Sequence, residues 1–185
     1  MTRRDTTPMA ERILDTADRL FYGQGIRAIG VDTIAAEAGI SKRTLYNHFP
    51  SKDDLIVAYL QRRLRPPLRR SDAPPRDQIL GLFTLLERAF AHRDFRGCPY
   101  VNAVAEIGEP DHPARPVAVE FKERQRVWFR DLLTQANAAD PEGLATQLML
   151  LVDGAIATAL VRKDAQAARA AAQAAGTLLT AADVR

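Results

Sequence analysis

The sequence predicts an all-α chain of about nine helices, and three observations carry that expectation. Apolar residues recur at helical spacing from end to end, and no stretch alternates with period two between turn residues. Glycine and proline clusters such as "GEPDHP" and "ADPEG" punctuate the pattern at intervals that suit helices. Composition agrees: 46% hydrophobic and 26% charged residues are ordinary for a globular chain of 185 residues.

Each element has its own local reason. A first helix opens at Thr7 with Pro8 in its first turn, aligns Ile13, Leu14, Ala17, Leu20 and Phe21, and stops at Gly23 and Gly25. A short second helix runs from about Val31 to Ala38, burying Ile34, Ala35 and Ala38, with Gly39 as its stop. Ser41 can cap a third helix, which carries Leu45, Tyr46 and Phe49 and ends at Pro50. Ser51 followed by Asp54 nearly matches a capping box and opens a fourth helix with the stripe Leu55, Ile56, Tyr59 and Leu60. "RPPLRRSDAPPRD", residues 65–77, holds four prolines and four arginines and cannot be one continuous helix. Beyond it, residues 77–92, about 98–107, 114–137, 142–162 and the alanine-rich 165–181 read as helices.

Several function classes are excluded. The single cysteine, Cys98, rules out an internal disulfide and a cysteine-rich zinc site, and fits a cytoplasmic protein. The first fifteen residues lack an uninterrupted apolar run, so no secretory leader is expected. Residues 144–161 resemble a membrane span in composition, but Gln147 and Asp153 interrupt them, and a buried helix is expected instead. His92 and His112 lack metal-ligand spacing, and no phosphate loop, nucleophile elbow or Glu-x-x-His pair occurs. Catalysis, a metal and a cofactor are therefore not expected. Charge is uneven: residues 1–70 hold 13 Lys/Arg against 8 Asp/Glu, and residues 71–185 hold 13 against 15. A polyanion is the natural partner of the basic end.

The sharpest signal is "AGISKRTLYNHFPSKDDL", residues 38–55. Two short helices joined by a tight turn through Gly39 make a helix-turn-helix, whose second helix enters the major groove of DNA. Leu45 and Phe49, four apart, would hold that helix to the core. Lys42, Arg43, Thr44, Tyr46, Asn47 and His48 occupy its remaining surface; Lys and Arg suit guanine edges or phosphates, Asn suits adenine, and Thr and Tyr suit phosphates. Tyr46 also reads as a half-buried core residue, and His48 as a plain exposed one. Arg3 and Arg4 are suited to a basic arm or a disordered tail.

From Phe21 to Leu55 the sequence, "FYGQGIRAIGVDTIAAEAGISKRTLYNHFPSKDDL", resembles the DNA-binding segment of the tetracycline-repressor (TetR) family of bacterial transcription regulators. The resemblance implies a DNA-binding domain over 1–50, a connecting helix and Pro/Arg-rich loop over 51–75, and a helical effector-binding and dimerisation domain over 76–185. It implies a homodimeric repressor on a near-palindromic DNA operator, released by an unidentified small-molecule effector. Thr33, Lys42, Arg43, Thr44, Tyr46, Asn47, His48 and Lys52 are then the DNA-binding residues. Gly30 departs from the family, which often has Ser or Thr there; it can cap the second helix but supplies no hydroxyl.

"FRGCPYVNAVAEIG", residues 95–108, resembles a subgroup in which a Gly-Cys-Pro turn opens the sixth helix and that helix lines the effector cavity. Phe90, Cys98, Tyr100, Asn102, Glu106, Phe121 and Trp128, with Phe129, are the pocket candidates by that likeness. The aromatics also read as ordinary core, and Cys98 as a small buried residue rather than a sensor. The last two helices are expected to form the dimer interface through Leu148, Leu151, Ala155, Ala159 and Leu178, because residues 144–161 are apolar on more than one face.

Overall fold

The computed structural model describes residues 8–64 and 71–185. Among them are nine α-helices and no strands. In chain order these are α1 (Met9–Gln24), α2 (Val31–Glu37), α3 (Lys42–His48), α4 (Lys52–Arg63), α5 (Pro75–Phe90), α6 (Pro99–Ile107), α7 (Ala114–Gln135), α8 (Pro141–Arg162) and α9 (Gln166–Ala181). The all-helical expectation holds, with two local corrections. Pro8 is the N-cap of α1 rather than a residue of its first turn. The fifth helix starts at Pro75, two residues before the expected Asp77, because an N1 proline gives up only an N–H that no helical carbonyl needs. Thr7, the Arg3–Arg4 arm and residues 65–70 of the Pro/Arg-rich segment lie outside the described residues.

The chain packs as two compact units that interleave in sequence. One holds the described residues of Met1–Arg65 together with Pro99–Val119; the other holds those of Pro66–Cys98 together with Glu120–Arg185. This partition follows packing rather than chain order, so the division 1–50, 51–75 and 76–185 stays a functional expectation.

The first unit is built on α1. Its Ile13, Ala17, Leu20 and Phe21 are buried and meet Ile34 and Ala35 of α2, Leu45 of α3 and the α4 stripe Leu55, Ile56, Tyr59 and Leu60 in one core. Phe21 and Tyr59 meet edge to face at 5.6 Å. Charged groups fasten α4 to α1 along the rim: Arg63 donates to both oxygens of Asp18 at 2.7 and 2.8 Å, and Arg62 donates to Asp15 at 2.6 Å. The Arg63 guanidinium also lies 4.5 Å from the centre of the Tyr22 ring. Within the same unit, the Tyr100 hydroxyl of α6 donates to the Leu60 carbonyl at 3.2 Å.

The second unit buries Ile79, Leu82 and Phe83 of α5, Phe129, Leu132 and Leu133 of α7, Leu148 and Val152 of α8, and Ala168, Ala175 and Leu179 of α9. Small residues on α9 let α5 and α8 pack closely against it. Arg76 closes the arrangement by donating to the Val184 carbonyl at 2.9 Å and to Thr180 Oγ1 at 3.0 Å. Asp140 caps α8 by accepting from the Gly143 N–H at 2.9 Å. A Cβ on residue 143 would crowd the Asp140 carboxylate and make it turn aside.

Candidate nucleic-acid interface

The α2–α3 turn is set by Gly39 at φ +65°, a left-handed value that glycine adopts without steric cost. Its N–H donates to the Ala36 carbonyl at 3.1 Å, and Ile40 N–H donates to Ala35 at 3.0 Å, closing the end of α2. Ser41 then caps α3 by accepting from Thr44 N–H at 3.0 Å. Leu45 (fully buried) and Phe49 are the two anchors of this helix. Phe49 is extended, as the residue before a proline prefers, and this ends α3.

That anchoring decides which side chains face outward. Lys42, Arg43, Tyr46, Asn47 and His48 are exposed, Tyr46 by 39%, so its ring is not a core residue. Arg43, Tyr46 and Asn47 are spaced i, i+3, i+4 and share one face. Thr33 is exposed on α2, while Thr44 is half-buried with its hydroxyl 2.8 Å from Ser41 Oγ. The face therefore joins a guanidinium, a phenol, an amide and an imidazole on a fixed helix, a set able to contact base edges and phosphates.

Two of the expected cations are already engaged. The Lys42 ammonium lies 2.9 Å from Asp32, whose hydrogen bond and charge hold it above the ordinary lysine range. Lys52 donates to the Ile26 carbonyl at 2.7 Å, and burial lowers its proton affinity. Its ammonium is thus turned to the α1–α2 turn. Glu106 of α6 grips the same turn by accepting from Arg27 N–H at 3.1 Å. Glu106 also crowds Gly25 (φ +94°), where a Cβ would lie 2.9 Å from its carboxylate. His112, buried in the loop before α7, accepts from Ala114 N–H at 3.1 Å through Nδ1. Its Nε2 then carries the proton and faces Asp53 of α4 at 3.3 Å.

A fixed second helix with an outward polar face after a three-helix core defines a helix-turn-helix DNA-binding protein. Residues 13–59 match the bacterial regulatory proteins of the tetR family, and residues 75–174 match the LmrA/YxaF-like C-terminal domain of transcriptional regulators. The chain belongs to the tetR family, and within it carries an LmrA/YxaF-like C-terminal half. The HTH-type transcriptional regulator YxaF of Bacillus subtilis is 28% identical over 164 residues, covering 83% of this chain and 86% of YxaF. The crystal structure of sav143 from Streptomyces avermitilis is 36% identical with a TM-score of 0.87, covering 97% of this chain and 100% of that one. SCO4454, a TetR-family transcriptional regulator from Streptomyces coelicolor, is 32% identical with a TM-score of 0.86, covering 94% and 96%. The chain is thus a DNA-binding transcriptional regulator of a family whose members are regulators rather than enzymes.

The other expected residues fall into place unevenly. Of the pocket candidates, Phe90, Cys98, Phe121 and Trp128 belong to the second unit and Tyr100, Asn102 and Glu106 to the first. Phe90, Cys98 and Trp128 are buried, and Cys98 is a small core residue at 6% exposure. Glu106 is committed to the Arg27 amide. Of the expected dimer-interface residues, Leu148, Ala155 and Ala159 are packed into the chain's own core and offer a second copy little or no surface. Leu151 and Leu178 are half-buried. Sequence reasoning misses Gln125, although it sits on the apolar stripe Phe121, Gln125, Trp128, Leu132 and is buried there. A polar residue at a core position of a helical stripe is the signal that could have found it.

Proposed function

We propose that the chain is a homodimeric, cytoplasmic repressor that binds a near-palindromic operator and is released by a small molecule held in its C-terminal half, in the subgroup with a Gly-Cys-Pro turn at Gly97–Pro99. The observation that carries this reading is the outward face of α3, with Arg43, Tyr46, Asn47 and His48 free of the core while Leu45 and Phe49 fix the helix. Operator contact falls to those four with Thr33, Thr44 and Lys42; Lys52 positions the α1–α2 turn and reaches a phosphate only by leaving Ile26.

Dimerisation is supported by α8. Leu150, Gly154, Ala157 and Val161 are all exposed and spaced i, i+4, i+7, i+11, an apolar stripe opposite the buried one. Two-fold pairing of that stripe, with the half-buried Leu151 and Leu178 beside it, places two recognition helices about 34–36 Å apart, one turn of DNA. Effector release is then a population shift: the ligand binds more tightly to a spacing of the two heads that DNA does not accept.

The test is selection of genomic fragments by the wild-type protein, followed by footprinting with Tyr46→Ala/Asn47→Ala. The double variant should keep its helical content and lose at least about a hundredfold in affinity, since two contacts go from each protomer. An unchanged footprint at the same protein concentration sinks the assignment of α3.

A further inference from the structure

We propose that the face of α7 bearing Gln125 and Trp128 forms the polar end of a binding site for a neutral, largely apolar molecule whose hydroxyl or amide both donates and accepts a hydrogen bond. The proposal rests on the effector reading above and specifies the chemistry of its ligand.

Gln125 Oε1 and Trp128 Nε1 are enclosed, and neither has a hydrogen-bond partner among the described residues. Their residues are 7% and 8% exposed. Buried polar groups are almost always paired, so two orphans in one place call for a cause. They are one helical turn apart on the same face, with Cβ atoms about 5–6 Å from each other. They are also opposite in kind, since an indole N–H only donates and an amide oxygen only accepts. One hydroxyl or one carboxamide between them satisfies both.

The contrast with His112 is informative. It is the other buried polar side chain among the described residues, and both of its ring nitrogens are engaged. Nothing similar serves Gln125. A leucine at 125 would fill the stripe without an unpaired amide, so the glutamine is poorly explained as packing.

Charge argues for a neutral ligand. No charged side chain is buried among the described residues. The ionic groups of this part of α7 are paired: Arg124 with Glu120, Arg126 with Glu123 and Arg130 with Asp131 on the helix itself, and Lys122 and Arg126 with Asp153 and Glu142 of α8. A carboxylate or ammonium at the orphaned pair would lose its water and gain no counter-charge. An apolar body fits the surroundings, because Trp128 stands in one buried cluster with Phe90 and Phe129, and Phe95 packs on Phe90 at 4.8 Å.

The chain has a single tryptophan, so its one indole ¹H–¹⁵N resonance reports on this site alone. The experiment titrates the full chain with alcohols and carboxamides on cyclohexyl, phenyl and naphthyl bodies, and with the carboxylate and ammonium counterpart of each. The expected result is saturable movement of the indole resonance by neutral members, with charged counterparts at least tenfold weaker. Gln125→Leu should reduce neutral binding at least tenfold without lowering the melting temperature; Gln125→Met replaces it if the leucine variant does not fold. The proposal is overturned if no neutral member saturates, if charged counterparts bind equally, if the variant binds as well as the wild type, or if the indole contacts only a bound water that no probe displaces. Fragment selection with genomic DNA runs in parallel. Intact DNA binding with a failed panel removes only the ligand chemistry, whereas failed DNA binding removes the regulator reading itself.

Discussion

Lys52 and Glu106 hold the same short turn from two sides, one by donating to the Ile26 carbonyl and one by accepting from the Arg27 amide. Neither role could be read from the sequence, because the partners are 26 and 79 residues away and backbone groups leave no mark in residue identity. The family likeness instead suggests a phosphate contact for the first and a ligand contact for the second. The two accounts of Lys52 separate in a salt titration of DNA binding. If Lys52 neutralises a phosphate, Lys52→Met lowers the log–log salt slope by about 2, one contact for each protomer of the dimer. If it only tethers the turn, Lys52→Met weakens binding at every salt concentration and leaves the slope unchanged, and this second outcome is expected. For Glu106, amide exchange at Arg27 should accelerate in Glu106→Ala and return toward the wild-type rate in Glu106→Gln, which keeps an acceptor. Equal protection in all three proteins would remove the tie.

At the scale of elements, sequence and structure agree best where the signal is local. Ser41 and Ser51 cap α3 and α4 as expected, and Gly39 turns the chain between α2 and α3, because caps and positive φ depend on residues within a few positions. The stripes of α1 and α4 are equally legible from period alone. What period cannot tell is which of two apolar faces turns inward. On α8 the choice fell on Leu144, Leu148, Val152, Ala155 and Ala159, so three residues expected at a partner's surface are core. The division of work on α3 has a direct test. Leu45→Ala should destabilise the chain by about 2–5 kcal/mol, as for other fully buried leucines. Tyr46→Ala, at an exposed position, should change stability by no more than about 0.5 kcal/mol and yet weaken DNA binding. Urea unfolding with a parallel gel shift reads both. A similar stability loss in the two variants would mean that Tyr46 is a structural residue after all. The Asp140 cap supplies a second test: Asp140→Ala removes the acceptor of the Gly143 N–H and should cost about 1 kcal/mol, seen as a lower melting temperature.

For the whole molecule the open question is what covers the outer face of α8. This helix is long and apolar enough to cross a membrane by length and composition, and much of its apolar surface is left open by the chain. Leu150 at 68% exposure and Val161 at 82% are the most exposed large apolar side chains on it, and Gly154 and Ala157 between them allow close backbone approach. An uncovered apolar stripe of this kind is an association surface. A second copy is the simplest occupant, because a two-fold axis across α8 sets the stripe against itself and each residue meets an apolar counterpart. The wild-type melting temperature should therefore rise with protein concentration, as mass action requires when folding and pairing are linked. Leu150→Lys with Val161→Lys places like charges where apolar surface must close, and should give a chain that elutes as a monomer. Its melting temperature should no longer depend on concentration, and its operator affinity should fall because one recognition helix cannot span two half-sites. Light scattering at micromolar concentration decides the matter. A monomeric wild type would overturn the dimer, and partition of the wild type into lipid vesicles would show that bilayer, not protein, covers the stripe.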